Sequence, residues 1–160
     1  MEVYKDPCKS IEERVEDLLS RMTLEEKVAQ LCGNLSTSFI KEGSVDIEML
    51  KKNFPNGHGR FTQFSTVGII DPVFIAEISN EVQRYFVEDT RLGIPVVFQS
   101  ENLCGYPGKG GTLYPAQINL GCTWEPELAK EMAENIGQES KSVGISSAMS
   151  PVIDVARDPR

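Results

Sequence analysis

The chain has 160 residues, 40% of them hydrophobic and 25% charged, a globular balance that argues against disorder and suits one domain. Its 16 Lys and Arg against 24 Asp and Glu leave a net charge of −8. That acidic surface repels phosphate backbones and anionic headgroups, so neither nucleic acid nor a membrane surface is an expected partner, while neutral ligands such as sugars are compatible.

In chain order, residues 10–31 read as helix in two parts. Ser10 with Glu13 and Thr23 with Glu26 form two capping-box patterns, which puts a break near Met22–Thr23. Ile11, Val15, Leu18, Leu19 and Met22 recur at helical spacing and give one apolar face, continued by Leu24, Val28 and Leu31. Residues 32–57 are polar and irregular, with one or two helical turns expected between Asp46 and Lys52. A short strand follows around Arg60 to Phe64. Asp71-Pro72 is a strong helix start, and that helix should end near Thr90, ahead of Gly93 and Pro95. The apolar, β-branched run from Ile94 to Phe98 reads as a buried parallel strand, with Pro95 tolerable only at its beginning. Gly105 to Gly111 reads as a flexible loop. Pro126 opens a third helix that Gly144 stops, and a last strand is expected from Ile145 to about Val155.

Strands alternating with helices imply an α/β fold with a parallel sheet. Three strands are too few for a complete barrel, which takes about 250 residues. No helix follows the third strand before the chain ends at Asp158-Pro159-Arg160, so the parallel sheet, sandwiched or rolled up, is expected to be incomplete within residues 1–160. Cys8, Cys32, Cys104 and Cys122 show no CxxC pairing and read as free thiols. With a single histidine, His58, no zinc ligand set is offered. The N-terminus, Met1 to Pro7, lacks a basic head followed by an apolar run, and no stretch approaches the roughly 18 apolar residues of a membrane span, so a cytoplasmic location is expected.

In parallel α/β folds ligands bind at the carboxyl ends of the strands. That rule ranks Gln99-Ser100-Glu101-Asn102 after the second strand, Asp154, Arg157, Asp158 and Arg160 at the third, and Gln63 to Thr66 at the first. Glu101 leads. A carboxylate after a buried apolar strand and before a glycine-rich loop can accept hydrogen bonds from a polyol; the competing reading is a loop glutamate solvated at the surface. Asp154 and Asp158 invite a paired-carboxylate reading, since glycosidases use two carboxylates about 5–9.5 Å apart. Ion pairing with Arg157 and Arg160, or turn capping, accounts for them more simply. Gly105-Tyr106-Pro107-Gly108-Lys109-Gly110-Gly111 fails the phosphate-loop pattern because glycine follows Lys109, and a mobile lid or binding loop suits it better. His58 reads as a turn histidine, and Trp124 as packing the start of the third helix rather than stacking on a sugar.

Several strings are familiar in register. Arg21-Met22-Thr23-Leu24-Glu25-Glu26-Lys27 through Leu31 resembles the opening of glycoside hydrolase family 3, and Arg91-Leu92-Gly93-Ile94-Pro95 resembles its RLGIP strand. Thr112-Leu113-Tyr114-Pro115, Cys122 to Leu128, and Gly144 through Pro151-Val152-Ile153-Asp154-Val155-Ala156-Arg157-Asp158-Pro159-Arg160 look like later family motifs. The resemblance implies a retaining β-glycosidase with a (β/α)8-like barrel first and an α/β sandwich second, no metal and no organic cofactor, so that residues 1–160 are expected to form a partial (β/α)8 TIM-like barrel, first strands and helices only. It implies that the nucleophilic Asp and the acid/base Glu lie beyond these residues, so no catalytic residue is expected within this chain and the isolated chain is expected to be inactive. The family's carboxylate after its Ile-Pro strand binds sugar hydroxyls, and Glu101 matches that position. Here Glu101-Asn102-Leu103-Cys104-Gly105 stands for the commoner D-A-x-H-G, with a longer carboxylate and Cys104 in place of His. The substrate, a β-glucoside, β-xyloside or other β-glycoside, stays open.

Two other readings compete. One is a short non-catalytic protein that binds sugar weakly or completes a barrel with a second chain. The other is an unrelated barrel enzyme such as a lyase, for which the strand ends lack the required lysine or metal cluster.

Overall fold

The computed structural model describes residues 2–62, 64, 68–152 and 157. The chain opens with two short helices, α1 (Ile11–Arg21) and α2 (Leu24–Leu31). Both capping boxes form: Ser10 accepts from the Glu13 N–H while Glu13 returns to Ser10, and Thr23 and Glu26 do the same. The break at Met22 is therefore a local decision, since a capped N-terminus at Thr23 satisfies donors that a continuous helix would otherwise have to supply.

The segment expected to be irregular holds a strand, β1 (Gly33–Leu35), a hairpin of β2 (Ile40–Lys41) and β3 (Ser44–Val45), and a helix, α3 (Ile47–Asn53). The hairpin turns through Glu42 and Gly43, both at positive φ, the backbone that a two-residue hairpin of right-handed twist requires. β1 has no apolar alternation to announce it. It exists because β4 (Arg60–Thr62) pairs with it, Gly33 beside Arg60 and Leu35 beside Thr62.

β4 leads to α4 (Pro72–Arg84), capped by Asp71, whose carboxylate accepts from the N–H groups of Val73 and Phe74. The helix continues as a π-turn from Tyr85 to Asp89 and stops at Thr90, as its sequence foretold. The next strand, β5 (Val97–Ser100), starts three residues later than the apolar run suggests. Gln83 is the reason: its side-chain amide accepts from the Val96 N–H at 3.1 Å and donates to the Val96 carbonyl at 2.6 Å, taking both groups a strand neighbour would use. A short helix, α5 (Gln117–Gly121), precedes α6 (Pro126–Ser142), and β6 (Ser147–Ala148) closes the described sheet. The strand is shorter than the expected Ile145 to Val155, since residues 145–146 and 149–152 lie outside it, and the end of the expected run, residues 153–155, lies outside the described residues.

Among the described residues the main sheet is four-stranded in the order β1-β4-β5-β6, with every pairing parallel. Each new strand joins the edge beside its predecessor, with α4 and α6 carrying the crossovers, the arrangement of the first part of a (β/α)8 barrel. One face of the sheet carries the core. Phe61 and Phe98, neighbours in register, are fully buried with Ile75, Ile78 and Val82 of α4 and with Phe86. Phe61 is the hub, with ring centroids 4.6 Å from Phe39, 5.0 Å from Phe54 and 6.3 Å from Phe98.

The apolar face expected on α1 and α2 is present but uncovered by the described residues. Ile11 and Leu24 are each 71% exposed and Leu31 is 85% exposed. What fixes these helices instead is polar. Glu26 is buried and accepts from Arg91 through Nε at 2.8 Å and through Nη2, while Arg91 also donates to the Arg21 carbonyl at 2.8 Å. Two of the sequence strings, Arg21 to Leu31 and Arg91 to Pro95, thus meet at one ion pair that also serves the α2 cap.

Candidate functional site

Because the strands are parallel, their carboxyl ends share one edge of the sheet. Leu35, Thr62 and Gln99 stand in one row across β1, β4 and β5, and Gln99 stands beside Ser147 of β6. Phe61 and Phe98 point into the core with α4, so by the period-2 alternation of strands Thr62, Val97 and Gln99 point to the other face, where Thr62 and Gln99 are half-buried and Val97 is exposed. In β5 the pattern is clear: Val97 exposed, Phe98 buried, Gln99 half-buried, Ser100 buried. Glu101, immediately after the strand, is exposed and continues the series. The structure therefore puts the leading candidate carboxylate at the carboxyl edge, on that face.

Its neighbours are held in place. The Met149 N–H donates to the Ser100 carbonyl at 2.9 Å, extending the β5–β6 pairing to the residue before Glu101. The residue after it, Asn102, is fully buried and donates from Nδ2 to Ser140 Oγ of α6 at 2.7 Å. Sequence reasoning named Asn102 as part of the strand end but assigned it no role. Gln117 of α5, on a helix the sequence reading missed, donates from Nε2 toward the Leu103 carbonyl and Ser150 Oγ, both at 3.4 Å.

Several expectations are corrected here. The loop of residues 105–111 is tethered rather than free: the Lys109 N–H donates to the Ile70 carbonyl at 2.7 Å, and Tyr106 is buried. Just beyond, Thr112 donates to Glu139 from Oγ1 at 2.6 Å and from N at 3.0 Å. A glycine-rich sequence permits such a path without making it mobile. Trp124 does not pack the start of α6; it is 89% exposed, at a φ of 58°. His58 precedes β4, at the edge opposite Glu101. It is buried between Phe54 and Phe61, ring centroids 4.6 and 4.7 Å away, and that burial lowers its pKa below the ordinary histidine value. A neutral histidine in an aromatic cluster, on the wrong edge, is structural. Asp154, Asp158, Arg160 and the stretch Gln63 with Ser65 and Thr66 lie outside the described residues. No cluster of three or more His, Cys, Asp or Glu able to hold a metal occurs among the described residues, and no described helix is long and apolar enough to cross a membrane. All four cysteines are free.

A cavity of about 1040 Å³ lies away from Glu101. It runs beside α5, α6 and β6, walled by Leu120, Trp124, Met132, Ile136, Ile145 and Pro151. Mostly apolar walls beside a strand with no further partner among the described residues suit a packed chain segment better than a polyol.

Comparison with known proteins agrees with this geometry. The chain is 31% identical over 159 residues to a putative β-xylosidase of Formosa agariphila, covering 98% of this chain and 21% of that protein. It is 31% identical over 169 residues to β-glucosidase C of Emericella nidulans, covering 99% of this chain and 26% of that protein. Among solved structures, a β-glucosidase from Erythrobacter marinus superposes with a TM-score of 0.84 at 27% identity, over 99% of this chain and 20% of that one. A Listeria innocua β-glucosidase in complex with isofagomine gives 0.68 at 27% identity, over 94% and 19%. The chain thus spans about a fifth to a quarter of the length of the relatives it matches. Residues 23–160 match the model of the glycosyl hydrolase family 3 N-terminal domain, and the chain belongs to that family.

Proposed function

We propose that this chain is the first part of the barrel of a retaining β-glycosidase that removes terminal β-linked glucose or xylose, and that Glu101 binds hydroxyls of the sugar. The observation that carries the reading is the placement of Glu101: exposed, at the carboxyl edge of a parallel sheet, on the face away from the α4 core, between two pinned neighbours. A carboxylate accepts hydroxyl hydrogen bonds through two oxygens, and such charge-assisted bonds are short and directional. Held rigidly, it orients a pyranose without itself reacting.

The uncovered faces support a larger assembly. The apolar stripe of α1 and α2 is exposed among the described residues, and a mostly apolar groove runs along α6 and β6, surfaces that further parts of a barrel enzyme would cover. We assign the nucleophile and the acid/base to those further parts and a second α/β domain, whether they belong to the same polypeptide or to a second chain. The isolated 160 residues then hydrolyse nothing.

The test is Glu101→Ala in the full-length polypeptide, assayed on aryl β-glucosides and β-xylosides. Hydroxyl contacts that tighten in the transition state are worth several kcal/mol, so kcat/KM should fall by about 100-fold or more. Wild-type kcat/KM would overturn the assignment. For the 160 residues alone, reproducible turnover abolished by changing Asp154 or Asp158 would overturn the division of labour.

A further inference from the structure

We propose that Asn102 is the positioning residue for Glu101: through its hydrogen bond to Ser140 it fixes the end of β5 against α6 and so sets where the Glu101 carboxylate points. This rests on the reading of Glu101 as the sugar-binding carboxylate.

Asn102 is 1% exposed and Ser140 5%. An amide is a costly choice for such a place unless its groups are paired. Nδ2 is paired, at 2.7 Å, but Oδ1 is sealed from solvent with no hydrogen-bond partner among the described residues. An apolar side chain would fill the same space without an orphaned acceptor. The amide supplies direction instead. A hydrogen bond to one hydroxyl on α6 fixes the rotation of the strand end about its own axis, whereas apolar packing tolerates sliding.

The surroundings reinforce that one contact. On α6, Glu139 beside Ser140 holds Thr112, the far end of the loop that begins at Asn102. Gln117 holds the Leu103 carbonyl, and Met149 holds Ser100. Glu101 is thus flanked on both sides by residues tied down on the buried face while its own side chain is exposed. Its backbone freedom is spent before a ligand arrives, which is what a binding carboxylate needs if its bonds are to tighten in the transition state rather than merely form.

The experiment is a double-mutant cycle in the full-length polypeptide. kcat and KM are measured on an aryl β-glucoside and an aryl β-xyloside for Glu101→Ala, Asn102→Ala, Ser140→Ala, Ser140→Thr and the Glu101→Ala/Asn102→Ala pair, with Tm recorded for each. Ser140→Ala removes one oxygen and keeps the fold testable if Asn102→Ala does not accumulate; the Glu101→Ala/Ser140→Ala pair then replaces the other. Asn102→Ala and Ser140→Ala should each lower kcat/KM by about 10- to 100-fold, mainly in kcat, as misplacement of an orienting group does. Ser140→Thr, which keeps the hydroxyl, should restore most of it. In the Glu101→Ala background the loss should vanish, because a residue acting through Glu101 has nothing left to position. Losses that multiply would overturn the proposal, as would wild-type kcat/KM in Asn102→Ala and Ser140→Ala while Glu101→Ala is impaired. Wild-type kcat/KM in Glu101→Ala would instead remove the sugar-binding reading, and the positioning role with it.

Discussion

Replacing Gly105 by alanine separates two roles that glycine plays in the loop after Glu101. Gly105 has a φ of 124°, where an L side chain is strained, and a Cβ built there would lie 2.0 Å from the Thr112 carbonyl oxygen. Gly110 in the same loop has a φ of 82° but nothing within 4 Å of an added Cβ. At Gly110, alanine meets only the left-handed backbone, about 1 kcal/mol. At Gly105 it meets backbone strain of about 1–3 kcal/mol and a collision that costs about another 1–3 kcal/mol. The collision is hard to relieve, because Thr112 is held by Glu139 at 2.6 and 3.0 Å. The sum is about 4 kcal/mol. At about 2–4 °C per kcal/mol for a chain of this size, Gly105→Ala should lower Tm by roughly 8–16 °C and Gly110→Ala by roughly 2–4 °C. Thermal unfolding followed by far-ultraviolet circular dichroism reads both. Equal shifts in the two variants would refute the reasoning, since they would mean that Thr112 yields freely and the loop is not latched.

Two further expectations concern charge and acid. The Arg91 guanidinium is the main influence holding the Glu26 carboxyl below its ordinary value of 4.5, against the opposing effect of burial. A carboxyl with a depressed folded pKa stabilises the fold above its unfolded pKa and loses that contribution as pH falls through the folded value. Arg91→Ala should therefore lower the urea midpoint at pH 7, and its difference from wild type should shrink as pH drops below 4.5. Arg91→Lys should recover little, because an ammonium cannot serve both Glu26 and the Arg21 carbonyl as the planar fork does; full recovery would mean that charge alone matters there. Burial holds the His58 imidazole below its ordinary 6.5, so the unfolded chain takes up that proton first. Stability from this source is complete above pH 6.5 and falls as pH drops from there toward the depressed folded value. His58→Phe, which keeps the aromatic cluster with Phe54 and Phe61, should flatten the urea midpoint across that window; an unchanged slope would show that His58 is not its source.

Much of this molecule was legible in the sequence because it is decided locally. Ser10 with Glu13, Thr23 with Glu26, and Asp71 with Pro72 place helix starts through groups three residues apart or fewer, and each forms as written. The rule that ligands meet parallel strands at their carboxyl ends picked out Glu101, and the sheet puts it there. The rest depended on partners distant in the chain. β1 is a strand only because β4 lies beside it, and β5 starts late because Gln83, 13 residues before Val96, occupies that residue's backbone groups. Asn102 meets Ser140 across 38 residues, and Arg91 meets Glu26 across 65. The apolar stripe of α1 and α2 was plain in the periodicity, yet periodicity states which face seeks cover and not what covers it. Hydrogen bonds and burial between remote segments carry no local pattern, so the sequence by itself determined where the capped helices start and singled out Glu101 as a candidate, and the tertiary structure alone decided which remote side chains tie down the residues beside it.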